Sequence, residues 1–322
     1  MELMEGLFEY LMPVRSIAST FARLDTHRRM LHDPVRVKVF QEAIQSVVRP
    51  GHTVVDIGTG TGILALMAIQ AGARKVYAVE VTELASIARE IAEKNGAGGM
   101  IHFIHGDSRE IELPEKVDVL ISETLGHIGI DEGIVGTMTD ARCRFLKPGG
   151  RIIPESMAIF MAPTTDRGVI ENELSAWKMP VAGFDFSPAS RHAGQRVYLR
   201  RTLESEWCAA PQIAFHVNFA LDAPSPFIFR SRFIAQRTAT CTGLSAWFES
   251  KLGVSAHLSS RATSSWYPVF FPVDPPVDLE AFDEIDVEVN CRCVGDETAW
   301  AWTFRTNRES RRCGRGEAVS EE

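Results

Sequence analysis

Two acids set nine positions apart, Glu123 and Glu132, stand in a glycine-rich stretch, ETLGHIGIDEG, directly after the apolar run VDVLIS. Glycines at 126, 129 and 133 permit this stretch to fold back tightly and bring the two carboxylates together. A pair of carboxylates grips a guanidinium well, because that group is planar, offers five donors in a fork and keeps its proton in bulk solution. Holding two of its nitrogens leaves the third to act as a nucleophile. The bland alternative is a pair of solvated loop acids. What tips the balance is a second motif upstream. Val54 to Glu80 reads VVDIGTGTGILALMAIQAGARKVYAVE: an apolar strand, then Gly58, Gly60 and Gly62 at every second position, a helix pattern from Ile63, and a second strand ending in the acid Glu80. Turn glycines let the main chain approach a ligand closely, and a helix start offers unpaired N–H groups. An acid about twenty residues past such glycines accepts the hydroxyls of a ribose. A nucleotide-like cofactor follows.

The elements that must position these groups are legible in the hydrophobic periodicity. Residues 53 to 162 alternate strand and helix patterns, which predicts an α/β unit with a mostly parallel sheet covered on both faces. In such sheets ligands bind at the carboxyl ends of the strands, so Asp107 and Ser108, which end the third strand, are candidates for an adenine edge. Residues 1 to 50 read as helices, over Glu2 to Met12 and Pro34 to Val48. Asp33 is placed as an N-cap and Pro34 in the first turn, so that Arg36 projects from that turn. Near 163 the alternation stops and period-two strand patterns begin, as in Ile285, Val287 and Val289 between acids. An antiparallel β-barrel or sandwich is expected. The resulting division is 1–50 helices over the cofactor site, 51–162 the cofactor-binding unit, 163–307 the β domain with an inserted arm at 164–190, and 308–322 a tail without order. The arm is expected to contain a helix over Val169–Trp177. Trp177, Phe184 and Phe186 there form an apolar patch suited to self-association, the alternative being packing onto their own domain.

Composition narrows the class. Of 322 residues 45% are hydrophobic and 24% charged, with a net charge of -8, which argues against broad nucleic-acid or anionic-membrane binding. Six scattered cysteines with no CxxC give no metal-site spacing and suit a reduced, cytoplasmic protein. No apolar run approaches the ~18 residues of a membrane span.

The glycine pattern is G-x-G-x-G rather than the dinucleotide G-x-G-x-x-G, since the third glycine is Gly62 and residue 63 is Ile. With Asp56 two residues ahead of Gly58, VVDIGTGTGILAL resembles motif I of class I methyltransferases, whose cofactor is S-adenosylmethionine. An NAD-binding dehydrogenase is the competing reading. From about Phe21 to Phe304 the chain is similar to the protein arginine methyltransferases, in which a Rossmann-like half precedes a β-barrel with a helical dimerisation arm between them. HRRMLHDPVR resembles the family's cofactor-covering helix, ISETLGHIGIDE its double-glutamate hairpin, and Trp177 to Asp185 its arm. The resemblance implies catalytic Glu123 and Glu132, and cofactor contacts from Arg36, Asp56, Gly58, Gly60, Gly62, Glu80, Asp107, Ser108 and Glu123. It further implies a substrate side of Met30, His127, Ser265 and Trp266, and a homodimer. Three departures stand out. The barrel loop reads Ser264-Ser265-Trp266 where the family has Thr-His-Trp, leaving Asp33 without an ionic partner; Ile17 and Phe21 replace paired tyrosines; and His127 and Arg109 stand where an aromatic and an acid are common. The expected activity is N-methylation of a guanidinium, in protein or free. Methylation of a small amine or natural-product guanidine, and a cofactor-binding module without catalysis, are the alternatives.

Overall fold

The computed structural model describes residues 23–222, 227–294, 297–307 and 309–313. The expected helix at Glu2–Met12, with Ile17 and Phe21, lies outside them. Two helices come first, α1 (Leu24–Leu31) and α2 (Pro34–Val47). The alternating segment then folds as β1 (Thr53–Ile57), α3 (Ile63–Gln70), β2 (Lys75–Glu80), α4 (Leu84–Lys94), β3 (Ile101–His105), β4 (Val117–Ser122), α5 (Ile134–Phe145) and β5 (Leu146–Ile153). These five strands pair in parallel in the order β3-β2-β1-β4-β5. Every residue of β1 is buried, as befits the middle strand of a sheet covered on both faces. The order reverses between β1 and β4, the position at which open α/β sheets leave a crevice for ligands. β1 leads there into the glycine turn, and β4 leads into Glu123.

After β5 the pairing changes from parallel to antiparallel. Pro154 lacks the N–H that would extend the parallel ladder, and β6 (Ser156–Thr164) leaves that sheet to pair antiparallel with β10 (Ala239–Lys251). The single strand expected over Arg151–Phe160 is therefore two, in different sheets. The strands β7 (Tyr198–Leu199), β8 (Gln212–Asn218), β11 (His257–Ser259) and β12 (Val269–Leu279) complete the sheet of β6 and β10. A second sheet holds β9 (Phe227–Ile234), β13 (Glu284–Val294), β14 (Glu297–Thr306) and β15 (Glu309–Cys313). Antiparallel order is as expected, but the strand pairing makes two sheets rather than one closed barrel. β15 pairs with β14 where a featureless tail was expected from 308. The pairing is antiparallel, with an irregularity between Phe304 and Thr306; residues 314–322 lie outside the described ones. One apolar cluster, including Phe40, Leu120, Ile153, Phe248 and Trp302, runs through both halves.

The arm is less helical than its periodicity suggests: a π turn (Ile170–Leu174) and a 3-10 turn (Ser175–Lys178) replace the continuous helix, followed by α6 (Pro188–Ala193). Trp177, Phe184 and Phe186 are exposed, so packing onto their own domain is not the outcome.

Candidate active site

Sequence dictates the glycine turn's shape. Gly58 and Gly60 adopt φ +71 and +55, the left-handed region that side chains avoid. Space excludes side chains as well: a Cβ at Gly60 would lie 2.5 Å from His27 Cε1, and one at Gly58 would lie 2.9 Å from Thr124 Cγ2. The turn is thus covered by α1 on one side and by the start of the acidic hairpin on the other. His27, buried at this contact, went unnoticed in the sequence; its only signal was a place on the same helix face as Met30, one turn later, which is half-buried.

Glu80 closes the turn. Its carboxylate accepts from Gly60 N (2.8 Å) and Thr82 N (2.9 Å), which holds the acid at the end of β2 beside the turn. Asp56 lies behind the turn rather than at its mouth. It is fully buried and accepts from the Thr59 hydroxyl (2.6 Å), while its Oδ1 has no partner among the described residues. Burial, with smaller contributions from the Glu80 and Glu123 charges, pushes its carboxyl up to about 7, against the pull of the Thr59 and Ala65 donors. Asp56 therefore shapes the turn. Asp107 lies two residues beyond β3, where Arg109 grips its carboxylate through Nε (3.0 Å) and main-chain N (2.9 Å). The Arg109 hydrogen bonds, outweighing desolvation, hold that carboxyl below the usual range. Ser108 beside it is buried, its carbonyl accepting from Arg144.

Arg36 is where the N-cap reading puts it. Asp33 caps α2 by accepting from Arg36 N (3.1 Å), and the Arg36 guanidinium turns inward to pair with Glu123. The Arg36 Nε–H is buried without a partner among the described residues. A buried cation with a spare donor suits an anionic ligand group. Its other neighbour is Trp266, whose ring lies 5.5 Å from Arg36 Cζ and whose indole N–H donates to Leu125 O at 2.7 Å.

Asp33 is well partnered despite the missing histidine. Its Oδ2 accepts from Ser264 N (2.8 Å), Ser264 Oγ (3.1 Å), Ser265 N (2.8 Å) and Ser265 Oγ (2.8 Å). Burial works to raise its pKa, but the Arg36, Ser265 and Ser264 donors together hold it lower than usual. Four hydrogen bonds from uncharged donors thus stand in place of one ionic contact, a substitution that Ser-Ser-Trp did not announce.

In the hairpin, Gly126 makes room for Asp131, which accepts from His127 N (3.1 Å) and Ile128 N (3.1 Å) and draws the loop back on itself. Glu132 follows directly. Burial raises its pKa well above the carboxylate range, Asp131 and Glu123 add to the rise, and Arg36 opposes it. The Glu123 charge is thus one of the influences felt at Glu132. Among the described residues no cluster of His, Cys, Asp or Glu is arranged to hold a metal.

Comparison with known proteins places this arrangement. The sequence pattern of a family described as Ribosomal protein L11 methyltransferase (PrmA) matches residues 38–156. The chain is 31% identical over 258 residues to a probable protein arginine N-methyltransferase 6 of Arabidopsis thaliana, covering 76% of this chain and 58% of that protein. It is 33% identical over 276 residues to the histone-arginine methyltransferase CARMER of Culex quinquefasciatus, covering 80% and 46%. The sequence is thus similar to protein arginine N-methyltransferases, and the chain spans about half the length of these curated relatives. Its fold is that of the PRMT1 enzyme-prozyme complex of Trypanosoma brucei (TM-score 0.84, 23% identity, 91% of this chain and 97% of that one). Arabidopsis thaliana protein arginine methyltransferase 10 is similar, with a TM-score of 0.77, 23% identity and coverage of 91% and 97%. The glycine turn, Glu80, Arg36 and the acidic hairpin lie around the switch point, and the carboxylates of Glu80, Asp56 and Asp107 each accept hydrogen bonds from their own turns.

Proposed function

We propose that the chain is an S-adenosylmethionine-dependent N-methyltransferase whose acceptor is a guanidinium, arginine in protein being the form it takes. The observation that carries this reading is the arrangement at the β1/β4 switch point: the hairpin of Glu123 and Glu132 starts against the glycine turn, Arg36 pairs with Glu123, and Trp266 lies beside Arg36. The residues present fit the cofactor. The spare Arg36 Nε–H suits a carboxylate, the glycine turn a closely approaching ligand, Glu80 a ribose, and the segment Asp107-Ser108 an adenine edge. When bound, S-adenosylmethionine supplies an electrophilic methyl group.

The chain's own residues then hold the acceptor. Glu123 and Glu132 receive two guanidinium nitrogens and aim the third, while Trp266 and Met30 wall the site. In the free protein Glu123 is compensated by Arg36, and burial favours the uncharged form of Glu132. A bound guanidinium would favour the carboxylate form. Alignment of this kind supplies ~7–11 kcal/mol of a barrier.

Self-association as a homodimer is part of the reading, supported by the exposed apolar arm. A cytoplasmic setting is supported by the thiols Cys143, Cys208 and Cys241. No described helix is long and apolar enough to cross a membrane.

The test is transfer of labelled methyl from S-adenosylmethionine to arginine-bearing peptides and to small guanidines, with Glu123→Gln alongside. Methylated arginine in peptide, abolished by Glu123→Gln while cofactor affinity is nearly unchanged, is expected. Equal loss of both in that variant, or NAD binding more tightly than S-adenosylmethionine, would overturn the assignment.

A further inference from the structure

Two hydrogen bonds join the acidic hairpin to the 264–267 loop. One is the Trp266 indole N–H to Leu125 O; in the other, the main-chain N–H of Tyr267 donates to His127 Nδ1 at 3.1 Å. A backbone N–H only donates, so Nδ1 is bare and the ring proton sits on Nε2. A phenylalanine or tyrosine ring at 127 would carry no acceptor there.

Each half of this contact is fixed by its own side. Asp131 accepts both His127 N and Ile128 N, which aims the imidazole out of the hairpin. On the opposite side Arg201 donates to Trp266 O (2.8 Å) and Thr263 O, and its guanidinium covers the Tyr267 ring at 4.6 Å. The Tyr267 ring in turn meets the imidazole edge-on at 6.5 Å. The same loop supplies all four donors to Asp33 Oδ2, and Asp33 caps the helix that carries Arg36, the partner of Glu123. A closed circuit results: hairpin, loop, Asp33, α2, Arg36, hairpin.

We propose that His127 is a positioning residue: by accepting the Tyr267 N–H at Nδ1 it clasps the hairpin of Glu123 and Glu132 to the loop that caps α2, and so sets the placement of the acid pair against Arg36. The kinetic consequence rests on the methyl-transfer reading above; the clasp itself does not.

Three variants of the full chain separate the roles of shape and acceptor. Asparagine places Oδ1 near where Nδ1 stands, alanine removes the ring, and phenylalanine keeps a ring without the acceptor. His127→Ala and His127→Phe should each lower kcat/KM for an arginine peptide about tenfold through kcat rather than cofactor affinity. Both should also speed amide exchange across 123–133 and 264–267. His127→Asn should recover most of both losses. Wild-type exchange in His127→Ala, or an Asn variant as impaired as the Phe variant, would overturn the clasp. If the wild type transfers no methyl group the functional reading fails, and the exchange data still decide the clasp.

Discussion

Arg36 and Glu123, 87 positions apart in the chain, form an ion pair whose side chains are only 9% and 7% exposed. It ties the N-terminal helices to the end of β4 across the mouth of the glycine turn. Removing one partner strands the other charge out of water, a loss of about 3–5 kcal/mol, whereas removing both costs less. Arg36→Ala should therefore destabilise the chain by that order in urea unfolding, and Arg36→Ala with Glu123→Ala should recover part of it. Additive losses in the double variant would mean that the two side chains do not depend on each other.

The parts of this site that were legible in the sequence are those dictated by local chain geometry. G-x-G-x-G with Glu80 announced the turn because positive φ and close packing leave no alternative to glycine, and Asp33-Pro34 announced the helix start that aims Arg36. What stayed hidden depends on contacts between distant segments. Nothing local says that Ser264 and Ser265 reach back to Asp33 or that His27 seals Gly60. The strand over Arg151–Phe160 had the apolar pattern of one element, and only the sheet to which each half belongs divides it. Likewise the arm carries a helical pattern over Val169–Trp177 but too little burial to enforce regular α-helix; of its turns Leu174 is the buried anchor.

Asp56 predicts an unusual acid–base signature. Burial first, then the charges of Glu80 and Glu123, raise its folded-state pKa from 3.8 to about 7. Between those values the folded chain holds a proton that the unfolded chain releases, so its stabilisation is complete below the lower value and declines as pH rises through the upper. The slope reaches about 1.4 kcal/mol per pH unit. Asp56→Asn, which can place its amide nitrogen at the unpartnered Oδ1 position, should flatten this part of the stability profile. Chemical denaturation from pH 4 to 8 reads it, and an unchanged slope in the variant would remove Asp56 as the source.

The arm exposes Trp177 (43%), Met179 (66%), Val181 (59%), Phe184 (69%) and Phe186 (43%) in one short segment. Contiguous apolar surface of this kind marks an interaction site. Sedimentation velocity should find the wild type as a dimer and a Trp177→Glu, Phe184→Glu double variant as a folded monomer. A wild type that remains monomeric at high concentration would exclude self-association through the arm.

Glu132 predicts how rate depends on pH. Its pKa is raised well above 4.5 by burial first, then by Asp131 and Glu123, with Arg36 in opposition. A protonated Glu132 accepts a guanidinium N–H poorly, whereas the carboxylate accepts it with charge assistance, a difference of about 1.5–3 kcal/mol or roughly 10–100-fold. For a permanently charged acceptor, kcat/KM should therefore climb with pH above the ordinary carboxylate range and level off once Glu132 has ionised. Glu132→Gln should be slow throughout and lack that limb, while Glu132→Asp should keep an ionisable limb at reduced rate. Because the guanidinium does not titrate in this range, the limb belongs to the protein. A limb that persists unchanged in Glu132→Gln would assign it to another group and leave Glu132 without a direct hold on the acceptor.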